Sequence, residues 1–444
     1  MDFNFNISMP EALVNGVIDY DFVFCGFEDD NRQLVKRFDL KTVSKDHCFS
    51  FSCSSEPVFL IIWPHKEGEW LESIEIELNP VITPPKYCNG SINIEDNKKR
   101  ILYIGQSGSS GYANAAKGYI TDFFIKGFNI EWLPLVFDDT KECSNYVDIL
   151  CESLKIKDVG YDYDEVYLHC TPDLWPSYIK TYGNNFKDAT IIGVSVWETD
   201  LLPEEWLNAL NSVDFNIVPS LFNKGVYTNS GVIKPIVIRP HLFYKQYLPE
   251  KANINIITNN CVEMSPEKYT FYNISEFNNR KGIEDAIEIF SDVFGDNKDV
   301  QFLIKTHYRN YDNENVKFCL AELNKLIKCN NIGVIVSPLS YRHILAMHSW
   351  CDCYLSLHKG EGYGLVLNEA YNYGNPVVTT GYGGHLDFFT PDYMYLVDYT
   401  LENINDNMET FNRWYNSNQK WAIPDKEHAK KLITDVYSKY KNGA

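Results

Sequence analysis

From residue 100 onward, apolar runs of four to six residues alternate with longer amphipathic stretches. That is the pattern of parallel strands buried on both faces and of the helices that cross over between them. Two series can be drawn. The first predicts strands at 101–105, 129–136, 165–170, 190–196, 215–219 and 235–239, with helices such as 112–126 and 204–212 between them. The second follows a connector at 241–267 and predicts strands at 270–274, 300–306, 332–336, 353–357, 376–380 and 394–398, with helices at 282–294, 316–329, 341–350 and 365–373. Each series is long enough for a doubly wound α/β domain. Two in tandem set a cleft between the C-terminal edges of their sheets, where open α/β folds bind ligands.

Residues 1–95 lack helical periodicity and hold short β-rich runs, Asp21–Cys25, Cys48–Ser52 and Pro57–Trp63, before a turn-rich connector at 79–90. They read as a small all-β accessory domain. From 404 the chain reads as helical, with no further strand, packing back across the domain junction. The expected division is therefore 1–95 for the β-rich domain, 96–245 and 246–405 for two Rossmann-like domains, and 406–444 for closing helices.

Composition narrows the function. A chain of 444 residues predicts two or three domains. Lys+Arg 40 against Asp+Glu 60 gives a net charge of −20, which disfavours nucleic acid and anionic lipid as partners. The start has no basic stretch followed by an apolar one, and the longest strongly apolar run, Val58–Trp63, is too short to span a bilayer. A cytoplasmic protein with no transmembrane segment is expected. Of the 12 cysteines the tightest pair, Cys351 and Cys353, is a C-x-C within an apolar segment, so reduced, buried thiols are expected rather than disulfides or a zinc site.

Three stretches carry candidate chemistry. Gly105-Gln-Ser-Gly108-Ser-Ser-Gly111 lies between a strand and a helix. It has neither dinucleotide-fingerprint nor Walker spacing, and reads equally as a tight βα turn or as a loop facing an anion. Arg280-Lys281-Gly282 opens an amphipathic helix after strand 270–274, where two cations and free N–H groups suit a pyrophosphate. Lys305 ends the next strand, at the edge where a ligand-facing cation belongs. The third stretch runs from Ser356 to Thr379 and sets Glu361 among Gly360, Gly362 and Gly364, with Glu369 inside the following helix. A second glycine turn, Gly381-Tyr-Gly383-Gly384, follows the next strand. Carboxylates so placed can accept hydrogen bonds from sugar or ribose hydroxyls.

Glu361-x7-Glu369 with Gly374-Asn-Pro-Val-Val resembles the E-x7-E motif of retaining GT-B glycosyltransferases, the large family four in particular. Arg280-Lys281-Gly282 is similar to that family's donor-diphosphate cations. Trp197-Glu198-Thr-Asp-Leu-Leu-Pro203-Glu-Glu-Trp206, Val218-Pro-Ser220 and Ser230-Gly-Val resemble its N-terminal half. The similarity runs over residues 100–440. It implies the GT-B fold, with an acceptor domain at 96–245 and a donor domain at 246–405. It also implies transfer of a hexose-type sugar from a GDP- or UDP-sugar to a glycan or other hydroxyl acceptor, with no metal and no prosthetic group. Self-association is left open.

By position, the resemblance sets Glu361 near the donor sugar, Glu369 at the ribose, and Arg280 with Lys281 at the diphosphate, Lys305 being the alternative second cation. Gly362, Tyr363, Gly364, Leu365, Gly383 and Gly384 would line the donor, and Gly105, Gly108 and Gly111 would sit between donor and acceptor. His169 matches a histidine that contacts the transferred sugar. Three rivals stand beside this reading. A metal-dependent GT-A enzyme would use Asp162-Tyr-Asp164, which precedes its strand and so lies at the wrong sheet edge. A Rossmann oxidoreductase lacks its fingerprint. A non-catalytic sugar- or nucleotide-binding protein would keep the fold alone.

Overall fold

The computed structural model describes residues 3–8, 22–28, 34–39, 48–53, 59–66, 69–70, 74–77, 99–108, 110–136, 146–160, 162–243, 256–388, 394–405 and 413–443. Two six-stranded parallel sheets organise it. The first is built from β1 (Arg100–Gly105), β2 (Asn129–Pro134), β3 (Glu165–His169), β4 (Thr190–Val194), β5 (Phe215–Val218) and β6 (Ile236–Ile238), in the order β6-β5-β4-β3-β1-β2. The second is built from β7 (Tyr269–Ile274), β8 (Val300–Lys305), β9 (Ile332–Ile335), β10 (Cys353–Ser356), β11 (Val377–Thr380) and β12 (Met394–Val397), in the order β9-β8-β7-β10-β11-β12. The apolar runs become these strands because both faces are covered. Leu102, Ile104, Val166 and Leu168 pack to one side of the first sheet, and Ile101, Tyr103 and Tyr167 to the other. In the second sheet Phe271, Phe302 and Leu355 face one core, and Tyr272, Leu303 and Tyr354 the other.

The crossover helices are α1 (Gly111–Ile125), α2 (Tyr146–Ser153), α3 (Trp175–Tyr182), α4 (Leu221–Asn229), α5 (Ile283–Phe294), α6 (Asn313–Leu326), α7 (Tyr341–Trp350) and α8 (Leu365–Asn372). Ser110, Ser220, Asp312 and Ser340 cap α1, α4, α6 and α7, each side chain accepting a backbone N–H three residues on. The helix expected at 204–212 is shorter, a 3₁₀ turn at Glu204–Trp206 followed by one α turn at Leu207–Leu210.

The closing segment differs from expectation. Strand β13 (Tyr399–Asn403) pairs antiparallel with β14 (Lys420–Pro424), and only Lys426–Lys441 is helical, as α9. The helix packs on the second sheet through Ala429, Ile433 and Val436. It is the stretch before β14 that crosses to the first sheet: Trp414 stacks edge-on against Trp206, and Tyr415 packs on Trp197. Residues 406–412 lie outside the described residues.

Before residue 99 the described residues are the strands Phe3–Ser8, Phe22–Glu28, Leu34–Asp39, Cys48–Cys53, Phe59–Lys66, Glu69–Trp70 and Ile74–Glu77, with antiparallel pairings. The connector expected at 79–90 lies outside the described residues. Among the described residues no helix is long and apolar enough to cross a membrane.

Candidate active site

Each sheet has a switch point where the strand order turns back, between β1 and β3 in the first and between β7 and β10 in the second. A parallel strand ends there without a crossover covering it, so the crevice beyond the strand ends is open to a ligand. The candidate residues gather at these two places.

Beyond β7 the chain turns through a 3₁₀ turn, Asn279–Lys281, in which the Asn278 side chain accepts from Lys281 N at 3.1 Å. Gly282 follows with φ 65°, and α5 starts only at Ile283, with Glu284 and Asp285 in its first turn. Arg280 and Lys281 therefore stand before the helix, not in its first turn as the sequence suggested, and the acidic residues match the helix dipole. Beyond β10, Lys359 N donates to Arg280 O at 2.7 Å and ties the second loop to the first.

The two cations converge on Glu361. Lys281 Nζ donates to Glu361 Oε2 at 2.5 Å, and Arg280 Nη1 lies 4.0 Å from the same oxygen. Arg280 also donates to Gly360 O at 2.7 Å, and its Nε stands 3.4 Å from Glu198 Oε1. Burial alone would raise the pKa of Glu361, but Lys281, Arg280 and His358 outweigh it and hold its carboxyl at about 2. It is a carboxylate throughout the physiological range. His358 behind it is held neutral, its pKa lowered to about 4, chiefly by burial. Its Nε2 faces Tyr382 O at 3.1 Å, an oxygen that can only accept, so Nε2 carries the proton and Nδ1 faces the hydroxyls of Ser356 and Thr379.

Glu369, in α8, is buried, with 4% of its surface exposed. Tyr341 donates its hydroxyl to Oε1 at 2.7 Å, and His348 Nε2 lies 3.3 Å from Oε2. Tyr341 and His348 sit seven residues apart on α7, two turns along one face. Glu369 opens onto a cleft between the two sheets, lined also by Lys117, Asp148, Leu242, Tyr341 and Leu365.

At the first switch point His169 pairs in register with Gly105. Its Nδ1 lies 2.7 Å from the Tyr103 hydroxyl, and its ring packs against Tyr112, Tyr119 and His241. Burial, and secondarily His241, keeps His169 neutral. His241 is joined to the other half through its carbonyl, which accepts from the Tyr363 hydroxyl at 3.1 Å.

Several of these glycines sit where one backbone passes close to another. A Cβ on Gly384 would sit 2.0 Å from Gly362 O, and one on Gly362 would sit 2.3 Å from Val196 Cγ2, so these glycines let loop approach loop. Asn223 donates to Gly362 O at 2.5 Å across the same junction. Gly105 meets Ala116 of α1 and serves helix packing, while Gly111 has room for a side-chain carbon against Leu365. Gly108 takes φ 92° in the turn between them, and Ser109 lies outside the described residues. Lys305 does not join the Glu361 cluster: its ammonium donates to Thr306 O and to the Tyr311 hydroxyl, both at 3.1 Å. Asp164 accepts from Arg100 N at 2.7 Å, at the opposite sheet edge from the cleft. Among the described residues no group of three or more His, Cys, Asp or Glu could hold a metal ion.

Sequence reasoning missed Glu198 and Tyr415 at Arg280, Tyr341 and His348 at Glu369, and His241 beside His169. Only the i, i+7 spacing on α7 was a usable signal, and only with the position of Glu369 already known.

Residues 262–432 match the family model described as "Glycosyl transferases group 1". This part of the chain is similar to the group 1 glycosyltransferase domain. It contains β7 to β12 and both carboxylates. A curated relative, a trehalose synthase from Pyrococcus horikoshii, is 28% identical over 158 residues, 35% of this chain. The match spans 38% of the length of that relative. Among solved structures, a glycosyltransferase from Rickettsia africae aligns with TM-score 0.52 at 14% identity, covering 78% of this chain and 89% of the other. That likeness is one of fold, an arrangement with two parallel six-stranded sheets. Anabaena HepE, solved with UDP and glucose, aligns with TM-score 0.48 at 14% identity over 68% of this chain and 86% of that one.

Proposed function

We propose that the chain is a retaining GT-B glycosyltransferase of family four. It moves a hexose-type sugar from a GDP- or UDP-sugar to a hydroxyl of a glycan or other acceptor, without a metal ion. The observation that supports this reading best is the meeting of Arg280 and Lys281 with Glu361 at the switch point between β7 and β10, inside the matched domain. Breaking a sugar–phosphate bond loads negative charge onto the departing diphosphate. Fixed cations in a partly buried cleft stabilise that charge more than water does.

In this reading Arg280 and Lys281 turn to the diphosphate, and Glu361, deprotonated at neutral pH, accepts hydrogen bonds from the donor sugar. Glu369 receives the ribose hydroxyls, with Tyr341 and His348 fixing its orientation. The backbone of Gly362–Leu365 and of Gly383 and Gly384 lines the donor. The Gly105–Gly111 loop stands between donor and acceptor, and neutral His169 meets the transferred sugar. Residues 1–95 form an all-β accessory domain, 96–245 the acceptor domain, 246–405 the donor domain, and 406–444 the closing segment.

Thermal-shift screening with UDP, GDP, ADP, TDP and CMP, each with and without EDTA, tests the proposal, because a ligand selective for the native state raises its melting point. One nucleoside diphosphate raising the midpoint in EDTA, followed by its release from the matching nucleotide sugar in the presence of acceptor, is expected. No shift with any nucleotide would favour the non-catalytic alternative.

A further inference from the structure

Arg280 reaches across the cleft. Its Nε stands 3.4 Å from Glu198 Oε1, on the loop after β4. Tyr415, from the stretch before β14, donates its hydroxyl to that same Oε1 at 2.5 Å. Two donors share one carboxylate oxygen, and the shorter contact belongs to the neutral one. The side chains of Glu198 and Arg280 are each 16% exposed, so solvent screens this pair less than it screens a surface pair. Nearby, Lys281 is held by Glu361, and Lys359 stands 3.8 Å from Asp285. The cations of this turn are thus compensated internally. An incoming diphosphate gains the full charge of Arg280 only by taking it from Glu198, its nearer carboxylate, and from Glu361.

We infer that Glu198 is a positioning residue that holds Arg280 until the donor diphosphate replaces it, and that Tyr415 sets the strength of that hold by occupying Oε1. The inference rests on the reading of Arg280 and Lys281 as diphosphate cations. Its consequence is directional. Neutralising Glu198 frees Arg280 for an anion. Removing the Tyr415 hydroxyl frees Oε1 for Arg280 and tightens the internal pair, which weakens anion binding. A merely structural role would move both variants the same way, because both loosen the junction between the two halves.

Calorimetric titration of UDP and of GDP tests this on the full chain, as wild type, Glu198→Gln, Tyr415→Phe, Lys281→Ala, Arg280→Ala and the Glu198→Gln/Arg280→Ala double variant. Glu198→Gln is expected to tighten binding about fivefold, the scale of a favourable, largely solvent-shielded ion pair. Tyr415→Phe is expected to weaken it by a similar factor, and the gain from Glu198→Gln to vanish in the Arg280→Ala background. Equal-direction shifts, no shifts, or a gain that survives without Arg280 overturn the inference, while loss of affinity in Lys281→Ala leaves the donor reading standing. Failure of both nucleotides to bind the wild type overturns the two together.

Discussion

Replacing Glu361 by Gln removes a charge that two cations surround and leaves the side chain's shape unchanged. The carboxyl is displaced from 4.5 to about 2. The difference, at about 1.36 kcal/mol per pH unit, corresponds to about 3 kcal/mol of native-state stabilisation. With a side chain 18% exposed, the group is shielded enough for that figure to be used as an order of magnitude. The sign follows from the direction of the displacement. A carboxyl whose folded pKa lies below its unfolded value stabilises the fold at all pH above the unfolded value, and the contribution disappears as pH falls from 4.5 toward 2. Glu361→Gln is therefore expected to unfold at a midpoint about 6 to 12 °C lower than wild type near pH 7, for a cooperative unit of 150–250 residues. The gap should be constant down to pH 5 and shrink below it. Scanning calorimetry of both proteins at pH 7, 5.5, 4 and 3 measures it. Equal midpoints at pH 7, or a gap that persists unchanged at pH 3, would refute the assignment of Glu361 as the carboxylate that compensates Lys281 and Arg280.

Three further outcomes are expected. Lys281→Ala should weaken nucleoside-diphosphate binding at least tenfold by calorimetry, since the lost contact is a charged one of 1.5–3 kcal/mol on the usual scale of about those values; unchanged affinity would remove Lys281 from the site. Tyr341→Phe, which deprives Glu369 of a hydroxyl donor at 2.7 Å, should weaken binding of the whole nucleotide about tenfold while leaving inorganic pyrophosphate binding unchanged. A parallel loss for pyrophosphate would mean that Glu369 does not serve the ribose. Gly384→Ala puts a carbon 2.0 Å from Gly362 O and 2.7 Å from Ser220 Oγ, and should cost about 1–3 kcal/mol of stability through overpacking, read as a lowered unfolding midpoint. An unchanged midpoint would show that the two loops separate freely.

The strand series was legible because parallel strands covered on both faces leave continuous apolar runs, and these run into the two sheets almost residue for residue, as in β3, β8 and β10. The cations and Glu361 were legible for a related reason: they fall just past strand ends on the side of the switch point, so their position along the chain already fixes the sheet edge they occupy. The pairing partners were not legible, because nothing local encodes them. Tyr415 and Glu198 are 217 positions apart, and neither lies in a periodic segment that would announce its face. Strand β14 was read as part of a helical stretch for a comparable reason. Among the described residues its neighbour in the sheet is β13, which is exposed along its whole length and so carries no apolar alternation to mark a two-stranded pair. What turns that weak strand into a fixed element is its attachment elsewhere: Ala422 N donates to Lys359 O at 2.8 Å, Lys420 N donates to Asp200 at 2.6 Å, and Trp421 is fully buried. The same attachments bring Tyr415 to Glu198. The segment whose secondary structure the sequence hides most is thus the one that binds the loop after β10 to the loop after β4, and through them sets the surroundings of Arg280.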